Sequence, residues 1–594
     1  MTGFLKTIGG LLKYNEPENE DMGFELLEEQ TEGQDSDQKQ DTSPQEGSGR
    51  LKEPREKGSD KKTPLTVEEW NEARNREDPC RPEENRDILS EQLCVNLEAV
   101  KRMFNVPKNR DILIREFKIA RKMDAFLVFI DGMADKETLN RVILPELMSK
   151  ENFADMGDQR PVDYISKNVL TVHQVIPLKN YESVKNQVLS GLSALFIEGC
   201  SECIVMETRG YEKRNVEQPI TERVVKGSQE GFSENLRTNL TLIRRIIKNE
   251  NLITEMLPVG KTNNANCAVL YMQGIANPKV VNEVKRRIKR IDTDIILGDG
   301  MLEQYIEDTS FMLFPQMLNT ERPDRAASFL SEGQVVIITE GAPFALAVPV
   351  SFFRLFHTSE DAFLRWPYGS FLRLVRMFGL FCATLLPGLY VAVILYHQEM
   401  IPTELLASLA KAKESVPFPT VLELLLLDLS FELIREAGIR VPGVIGQTLG
   451  IIGALILGQA AVAASLVSPI LIIVIAVTGL GNFAIPNYAL ALSIRIERFL
   501  FIIAGAALGF YGITVLVFLL GCIACGMKSF GVPFFVPVAP RTTVNPDVIL
   551  RAPIWAQKNR PDPMNTPDRK RQGNNPQSWI SNTPEKKRKG RRDS

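Results

Sequence analysis

Histidine is scarce in this sequence, whose 594 residues include only His173, His357 and His397. None of the three lies in a His-Glu-x-x-His helix motif, and no pattern around them is typical of a Ser-His-Asp triad. The chain offers no other convergent set of reactive groups. We therefore expect a protein that is not an enzyme.

Cysteines are few and irregularly spaced. The eight lie at positions 80, 94, 200, 203, 267, 382, 522 and 525, which does not indicate a disulfide framework. Two C-x-x-C pairs, Cys200–Cys203 and Cys522–Cys525, lack the further ligands of a structural zinc site, so buried thiols or a redox pair at Cys200 are the alternatives. We expect no metal ion and no cofactor.

Charged residues are absent from three long stretches in the C-terminal half. Met377–Tyr396 and Phe499–Met527 are each long enough for one membrane crossing. Val441–Ile494 is long enough for about two, with a break expected near Ser465–Pro469. This pattern predicts a helical membrane domain over residues 351–540.

One apolar segment between these stretches, Val416–Ile439, contains Glu423, Asp428 and Glu432. Carboxylates at membrane depth are costly and normally face a protein interior or a water-filled cavity. Asp428 and Glu432 are one helical turn apart, with Glu423 above them, so the three predict an ion path that favours cations when several subunits assemble. A helix lying along the membrane surface, with its carboxylates in water, is the alternative.

The uncharged run contains the segment Asn482-Phe-Ala-Ile-Pro-Asn487. Pro486 removes a helix donor, and broken helices at membrane depth persist where the freed backbone lines a cavity or is buried in protein. Asn482, Pro486 and Asn487 are therefore candidates for lining a pore or a site. A plain turn between two helices is the alternative.

Charge asymmetry leaves the topology open. Arg365, Arg373 and Arg376 place the start of the first span in the cytoplasm. A full crossing by residues 416–439 gives five spans and an external C-terminus, whereas the basic run Lys586–Arg592 favours an internal C-terminus and an even number of spans.

The N-terminal half has strand-like runs separated by amphipathic helical patterns such as Glu234–Ile247 and Pro278–Arg290. The runs are Ala125–Ile130, Ser193–Ile197, Cys203–Met206, Cys267–Met272 and Val335–Thr339. This alternation predicts an α/β region, and the lack of a secretory signal places it in the cytoplasm. Residues 1–87 predict a disordered acidic arm. Residues 541–594 predict a disordered basic tail, which we expect to bind lipid or to control the membrane topology, and not to bind nucleic acid.

Several ordered motifs carry a family resemblance. In the first half they are Glu222–Phe232, Leu236–Leu240, Asp292–Ile296, Leu302–Asp308, Phe314–Pro315 and Thr320–Asp324. In the second half they are Tyr396–Thr403, Arg435–Arg440, Ile485–Tyr488 and Ser529–Pro533. Together they resemble the A-subunit family of spore germinant receptors, the GerA-type spore germination proteins. The acidic arm and the tail after Arg541 depart from the family's usual ends.

The resemblance implies a cytosolic α/β region of two subdomains, at 88–220 and 221–350, followed by an all-α polytopic membrane domain in the spore inner membrane. It implies a transporter-like B subunit and a lipoprotein C subunit as partners, membrane lipids around the helices, and self-association into a homo-oligomer. The expected function is that of a nutrient germinant receptor A subunit, which initiates germination and forms or gates a cation-conducting channel.

Two other functions compete with this expectation. A secondary transporter would bind and move a small solute at the broken segment around Pro486, although the few spans and the lack of an evident inverted repeat count against it. A non-conducting scaffold paralogue of late sporulation would only organise other receptors.

Overall fold

The computed structural model describes residues 87–157, 159–210, 218–440, 458–542 and 547–573. Two α/β units come first, each with a five-stranded sheet, and a mainly helical region follows. The predicted fold class is thereby confirmed. The predicted acidic arm, up to residue 86, and the tail beyond residue 573 lie outside the described residues.

The first unit has an antiparallel sheet in the order β1-β2-β4-β5-β3. Its strands are β1 (Ile112–Ile119), β2 (Met123–Ile130), β3 (Val175–Leu178), β4 (Ser193–Ile197) and β5 (Cys203–Met206). Its α-helices are α1 (Leu93–Met103), α2 (Leu144–Met148), α3 (Pro161–Tyr164) and α4 (Tyr181–Leu189). Alternate residues of β2 enter two separate cores, Phe126 on one face and Leu127 on the other, so both faces of the sheet are covered.

The second unit repeats this plan with the order β6-β7-β9-β10-β8, again antiparallel. Its strands are β6 (Leu252–Val259), β7 (Ala265–Met272), β8 (Leu318–Thr320), β9 (Val335–Thr339) and β10 (Ala345–Val348). Its helices are α5 (Leu236–Ile246), α6 (Pro278–Lys289), α7 (Asp299–Ile306) and α8 (Pro323–Ser331). Asn235 and Asn277 cap α5 and α6, since each side chain accepts hydrogen bonds from backbone amides in the first turn.

The helical region begins after the second unit. Its helices are α9 (Glu360–Phe363), α10 (Trp366–Tyr396), α11 (Thr403–Lys413), α12 (Thr420–Arg440), α13 (Pro469–Phe483) and α14 (Tyr488–Gly526). Residues 458–463 are also helical and end at the break expected near residue 465. Of the described helices, α10 and α14 are long and apolar enough to cross a bilayer, with α14 spanning 39 residues.

Helix α14 folds back on itself at Gly509, whose φ of 60° and ψ of −141° are not helical. A Cβ atom at Gly512 would lie 2.3 Å from the carbonyl oxygen of Ala504, eight positions earlier, a contact that a straight helix does not allow. The run Phe499–Met527, predicted to supply one crossing, is therefore divided between two helices that meet at Gly509. Residues 488–508 lead away from the second unit and residues 510–526 lead back, because a glycine in this conformation reverses the chain inside an unbroken apolar run.

Both ends of α14 lie against the second unit. Leu490 and Met527 belong to the same buried core as Leu270 and Val336 of its sheet. The chain then forms the hairpin of β11 (Lys528–Ser529) and β12 (Val532–Pro533). The hydrophobic core of the second unit thus continues without interruption into the helical region.

Part of the predicted disordered tail packs on the second unit and on α9. Arg551 donates to the carbonyl oxygen of Ala362 at 3.1 Å, and Arg560 donates to the carbonyl oxygen of Ser331 at 3.0 Å. Two arginines of the segment 547–573 therefore bind backbone carbonyls of neighbouring elements.

Candidate functional site in the helical region

Glycines allow three helices to approach closely. A Cβ atom at Gly379 of α10 would lie 2.9 Å from the carbonyl oxygen of Gly481 in α13, and one at Gly388 would lie 2.7 Å from the carbonyl oxygen of Phe501 in α14. Real Cβ atoms essentially never come so close to a backbone atom. The absence of side chains at these two positions therefore brings the backbones into contact, as is common among helices in membranes.

A network of buried charges connects α12 with α14. Arg498 Nη2 lies 3.0 Å from Asp428 Oδ1 and 2.9 Å from Glu432 Oε1. Arg435 Nη1 also reaches Glu432 Oε1 at 3.1 Å, and Arg495 Nη1 lies 3.9 Å from Glu432 Oε2. Asp428 and Arg498 are 0 % and 1 % exposed. The structure therefore brings Asp428 and Glu432 together through a shared arginine on the neighbouring helix.

Glu423 lies apart from this network. Its Oε1 accepts a hydrogen bond from the backbone amide of Ser468, which precedes the first turn of α13. Its Oε2 is buried and has no hydrogen-bond partner. A carboxylate at this position interacts favourably with the unpaired amides and the positive dipole end of α13. The three predicted carboxylates thus occupy two separate environments in the protein interior.

The segment around Pro486 is the turn between α13 and α14. Asn487 is the N-cap of α14, where its side chain accepts from the amide of Leu490 at 2.8 Å. The Asn482 side-chain amide, oriented by its neighbours, donates to the carbonyl oxygen of Ala491 at 3.1 Å and accepts from Arg495 Nε at 3.0 Å. Ile485 is buried in the core of the second unit. The alternative of a plain turn accounts for these contacts, and Asn482 also touches the charge network through Arg495.

Two buried charged residues, Glu497 and Arg498, were not among the predicted site residues. In the sequence both lie just before the apolar run that starts at Phe499, but α14 begins ten residues before Arg498 and buries both side chains. The signal that could have found them is the continuity of apolar residues on both sides of Arg495–Arg498, from Tyr488 onwards. Charges inside such a run must lie in a protein interior or be compensated.

The junction between the second unit and α10 holds a second charge network. Arg373 binds Asp361 at 3.1 Å and Asp547 at 2.8 Å, which ties the base of α10 to the C-terminal segment. Beside it lies a cavity of about 190 Å³. Burial lowers the pKa of His357 well below its usual value, and the charges of Arg373 and Arg354 lower this pKa further. His357 is therefore neutral at pH 7, and its Nε2 hydrogen-bonds the carbonyl oxygen of Val548 at 2.9 Å.

Metal ligation is not indicated by the residues that the structure describes. Among them, no group of three or more histidine, cysteine, aspartate or glutamate side chains could hold a metal ion. Cys200 and Cys203 are free thiols in the first unit, and burial raises the pKa of Cys203 to about 12. A thiol with so high a pKa is a poor nucleophile at pH 7.

Comparison with known proteins gives consistent matches. A family model described as "Bacillus/Clostridium GerA spore germination protein" matches residues 98–563. Spore germination protein KA of Bacillus subtilis (strain 168) is 38% identical over 489 residues, which cover 82% of this chain and 89% of that protein. Spore germination protein GerLA of Bacillus cereus is 36% identical over 460 residues, which cover 77% of this chain and 93% of that protein.

A solved structure is also similar. It is the crystal structure of the N-terminal domain of the A subunit of the Bacillus megaterium spore germinant receptor GerK3, at 33% identity and a TM-score of 0.36. The match covers 45% of this chain and 97% of that one. The family match, by contrast, runs through both α/β units and the helical region. This chain therefore belongs to the GerA family of spore germination proteins.

Proposed function

We propose that this chain is the A subunit of a nutrient germinant receptor and that its helices form or gate a path for cations across the spore inner membrane. The supporting observation is the fully buried Asp428 on an apolar helix, paired with Arg498 on another. Two charges at such depth cost several kcal/mol to bury, in the order of magnitude known for buried ions. Apolar residues would hold the helices together at lower cost, so the charges point to a function.

The ion pair gives this path a closed state. In the described arrangement Arg498 neutralises Asp428 and shares Glu432 with Arg435, so neither of these two carboxylates is free to attract a cation. Movement of α14 relative to α12 would separate Arg498 from both carboxylates. The freed carboxylates would then attract cations, in the way that acidic rings select cations in channels.

The topology that fits this function has both ends of the helical region on the side of the α/β units. The reversal at Gly509 supports it, because α14 starts and ends at the second unit. With the α/β units in the cytoplasm, the C-terminal segment is cytoplasmic as well. This placement agrees with the basic run near residue 590, which favours the inner side of a membrane.

Partner subunits would supply the recognition of the nutrient. We place nutrient recognition elsewhere in a complex with a transporter-like B subunit and a lipoprotein C subunit. Large apolar side chains on the outside of the helices, including Phe378, Phe381 and Phe518, are well exposed in the single chain. Lipid or further copies of this chain would cover them, which supports a membrane-embedded homo-oligomer.

The proposal is tested by neutralising the three carboxylates together with Glu423→Gln, Asp428→Asn and Glu432→Gln. We expect spores with this variant to lose nutrient-triggered potassium release while the protein remains at its normal abundance. The matched control is Glu399→Gln with Glu404→Gln, which removes two carboxylates from the segment between α10 and α12. Unchanged potassium release in the triple variant would refute the path assignment.

Two further measurements separate the rival functions. Vesicles containing the reconstituted receptor would accumulate labelled nutrient if this chain were a secondary transporter, whereas a channel subunit passes ions alone. Deletion of the gene should abolish germination by at least one nutrient. Intact nutrient germination after deletion would favour a scaffold and contradict the receptor role.

A further inference from the structure

The cavity of about 190 Å³ beside the base of α10 carries a surplus of positive charge. The arginines that line it are Arg325, Arg354, Arg373, Arg551 and Arg571. The carboxylates that line it are Asp324, Glu332, Asp361 and Asp547, and each of them binds an arginine. Arg322, Arg376 and Glu222 bind to this lining from outside, and His357 is neutral at pH 7. The seven arginines of the group therefore outnumber its five carboxylates by two charges.

Two polar side chains of this lining, Arg551 and Ser359, are incompletely compensated. Arg551 is 4 % exposed, and in the part of the chain that the structure describes its guanidinium donates to the carbonyl oxygens of Ala362 and Leu364 rather than to a carboxylate. Burial lowers the pKa of Arg551, so the neighbouring negative charges do not fully compensate its own charge. Ser359 Oγ is buried and has no hydrogen-bond partner among the described residues. Such groups beside an open volume are suited to binding the oxygen atoms of an anion.

The cavity lies at the depth of lipid head groups. Residues 377–396 are long enough to cross the hydrocarbon core of a bilayer. Arg373, which lines the cavity, lies one helical turn, or about 6 Å, before these residues, at the level of the lipid phosphates. Arg551 is held on the same part of α10, because its amide donates to Ser370 Oγ at 3.1 Å and its Cδ would lie 2.9 Å from a Cβ atom at Gly369. The cavity is therefore at the membrane surface on the side of the α/β units.

Large apolar side chains border the cavity. Phe363 and Ile554 line it, and each is about half exposed. Trp366 and Trp555, which are near them in the sequence, are exposed to the same degree. Tryptophan is enriched at the membrane–water interface, where its ring lies at the level of the lipid head groups. A phosphate group that enters the cavity would therefore leave the acyl chains of its own lipid beside these four side chains.

We propose that this cavity binds the phosphate group of an anionic phospholipid in the leaflet next to the α/β units. Arg551 and Arg571 would donate to its oxygen atoms, because the guanidinium fork matches the geometry of phosphate, and Ser359 would add a hydroxyl donor. The volume holds several water molecules and therefore a phosphate group. The surplus of positive charge favours an anionic lipid over a zwitterionic one, whose choline group carries a positive charge of its own. The inference requires α10 to cross a membrane but is independent of the cation path.

The test uses the purified full chain in detergent and measures the midpoint of thermal unfolding at constant ionic strength. Dihexanoyl phosphatidylglycerol, dihexanoyl phosphatidylcholine and inorganic phosphate are titrated separately. We expect phosphatidylglycerol to raise the midpoint by about 2 °C at a hundredfold its Kd, and phosphatidylcholine to raise it much less. Equal rises with the two lipids would overturn the site. An equal rise with inorganic phosphate would show that the cavity takes free phosphate and would overturn the lipid assignment.

Two variants test whether the effect arises in the cavity. Arg551→Gln should increase the phosphatidylglycerol concentration that gives half of the rise by about tenfold or more, because charge-assisted hydrogen bonds are lost. Arg571→Gln should increase it as well, and this partly exposed side chain can be replaced without loss of the fold. The matched control is Arg569→Gln, which removes an exposed arginine of the same segment outside the cavity and should leave the concentration unchanged. A half-maximal concentration that stays the same in both cavity variants would overturn the site, as would an equal increase in the control.

Discussion

Arg498 and Asp428 meet 3.0 Å apart between α14 and α12, and neither side chain is accessible to solvent beyond 1 %. A buried pair of this kind is strongly destabilised when one partner is removed, because the other charge is left without compensation. Removing both partners at once is often neutral or stabilising. This asymmetry gives the first prediction.

We expect Asp428→Leu and Arg498→Leu, made singly, each to lower the free energy of unfolding by about 3 kcal/mol or more. The double variant should recover a large part of this loss. Thermal unfolding of the purified chain, together with its yield as a monodisperse species in detergent, measures both effects. Equal losses in the single and double variants would show that the pair does not connect the helices.

The two α/β units are joined by a buried ion pair as well. Arg244 of α5 donates to both carboxylate oxygens of Asp111, at 2.6 and 2.9 Å, and to Asn109 and the carbonyl oxygen of Leu252. Asp111→Asn leaves the guanidinium underpaired. The buried thiols of Cys203 and Cys267, one in each unit, report on unfolding of the two units. At the same raised temperature, we expect both thiols to react with a thiol reagent about two orders of magnitude faster in this variant than in the wild type.

The exposed pair of Lys118 with Asp124 provides the control for this experiment. Both side chains are more than half exposed, so Asp124→Asn should leave the thiol reaction rates almost unchanged. Acceleration at Cys203 alone after Asp111→Asn would show that the units unfold independently of this pair.

Gly509 is expected to tolerate no side chain. Its φ is positive, and a Cβ atom there would lie 3.1 Å from Tyr396 and 3.2 Å from His397. Gly509→Ala should therefore destabilise the chain by about 1–3 kcal/mol. The matched control is Gly521→Ala in the same helix, where nothing lies within 4 Å and alanine should be neutral or stabilise by about 0.5–1 kcal/mol. Equal unfolding midpoints for the two variants would argue against the reversal.

Glu303 of α7 gives a pH-dependent prediction. Burial raises the pKa of Glu303 to about 7, and the nearby carboxylates of Glu307 and Asp299 raise it too, whereas the hydrogen bond from Asn319 lowers it. Between the ordinary value of 4.5 and about 7, the folded chain holds a proton that the unfolded chain has lost. The contribution of Glu303 to stability is therefore greatest below pH 4.5 and falls as the pH rises to 7.

Glu303→Gln removes this titration. We expect the free energy of unfolding of the variant to decline less than that of the wild type between pH 4.5 and 7, as measured by urea unfolding in detergent. Parallel pH profiles for the two chains would show that Glu303 titrates at its ordinary pKa.

The sequence allowed much of the α/β region to be predicted. Runs such as Ser193–Ile197 and Val335–Thr339 are strands with the predicted bounds, because a run of five mostly apolar residues is too short for a buried helix and suits a strand covered on both faces. The edge strand β1 was largely missed, since alternate residues such as Arg115 face solvent and weaken its apolar pattern. The pairing direction of the strands depends on contacts distant in sequence, and a local pattern cannot reveal it.

The candidate site was less accessible to prediction. The one-turn spacing of Asp428 and Glu432 correctly placed them on one side of α12, because helical geometry is local. That Arg498 lies between them depends on how α14 packs, and hydropathy does not encode this. The reversal at Gly509 was missed for a similar reason, since a glycine within an apolar run leaves hydropathy unchanged.

The return of α14 to the second unit has a mechanical consequence. Helix α10 leaves this unit through Arg373 and Arg376, which bind Asp361, and the second half of α14 returns to it at Met527. A tilt of the second unit would therefore displace the start of α10 and the end of α14 together. A signal received by the α/β units would therefore shift the bundle by a concerted rocking of its first and last helices.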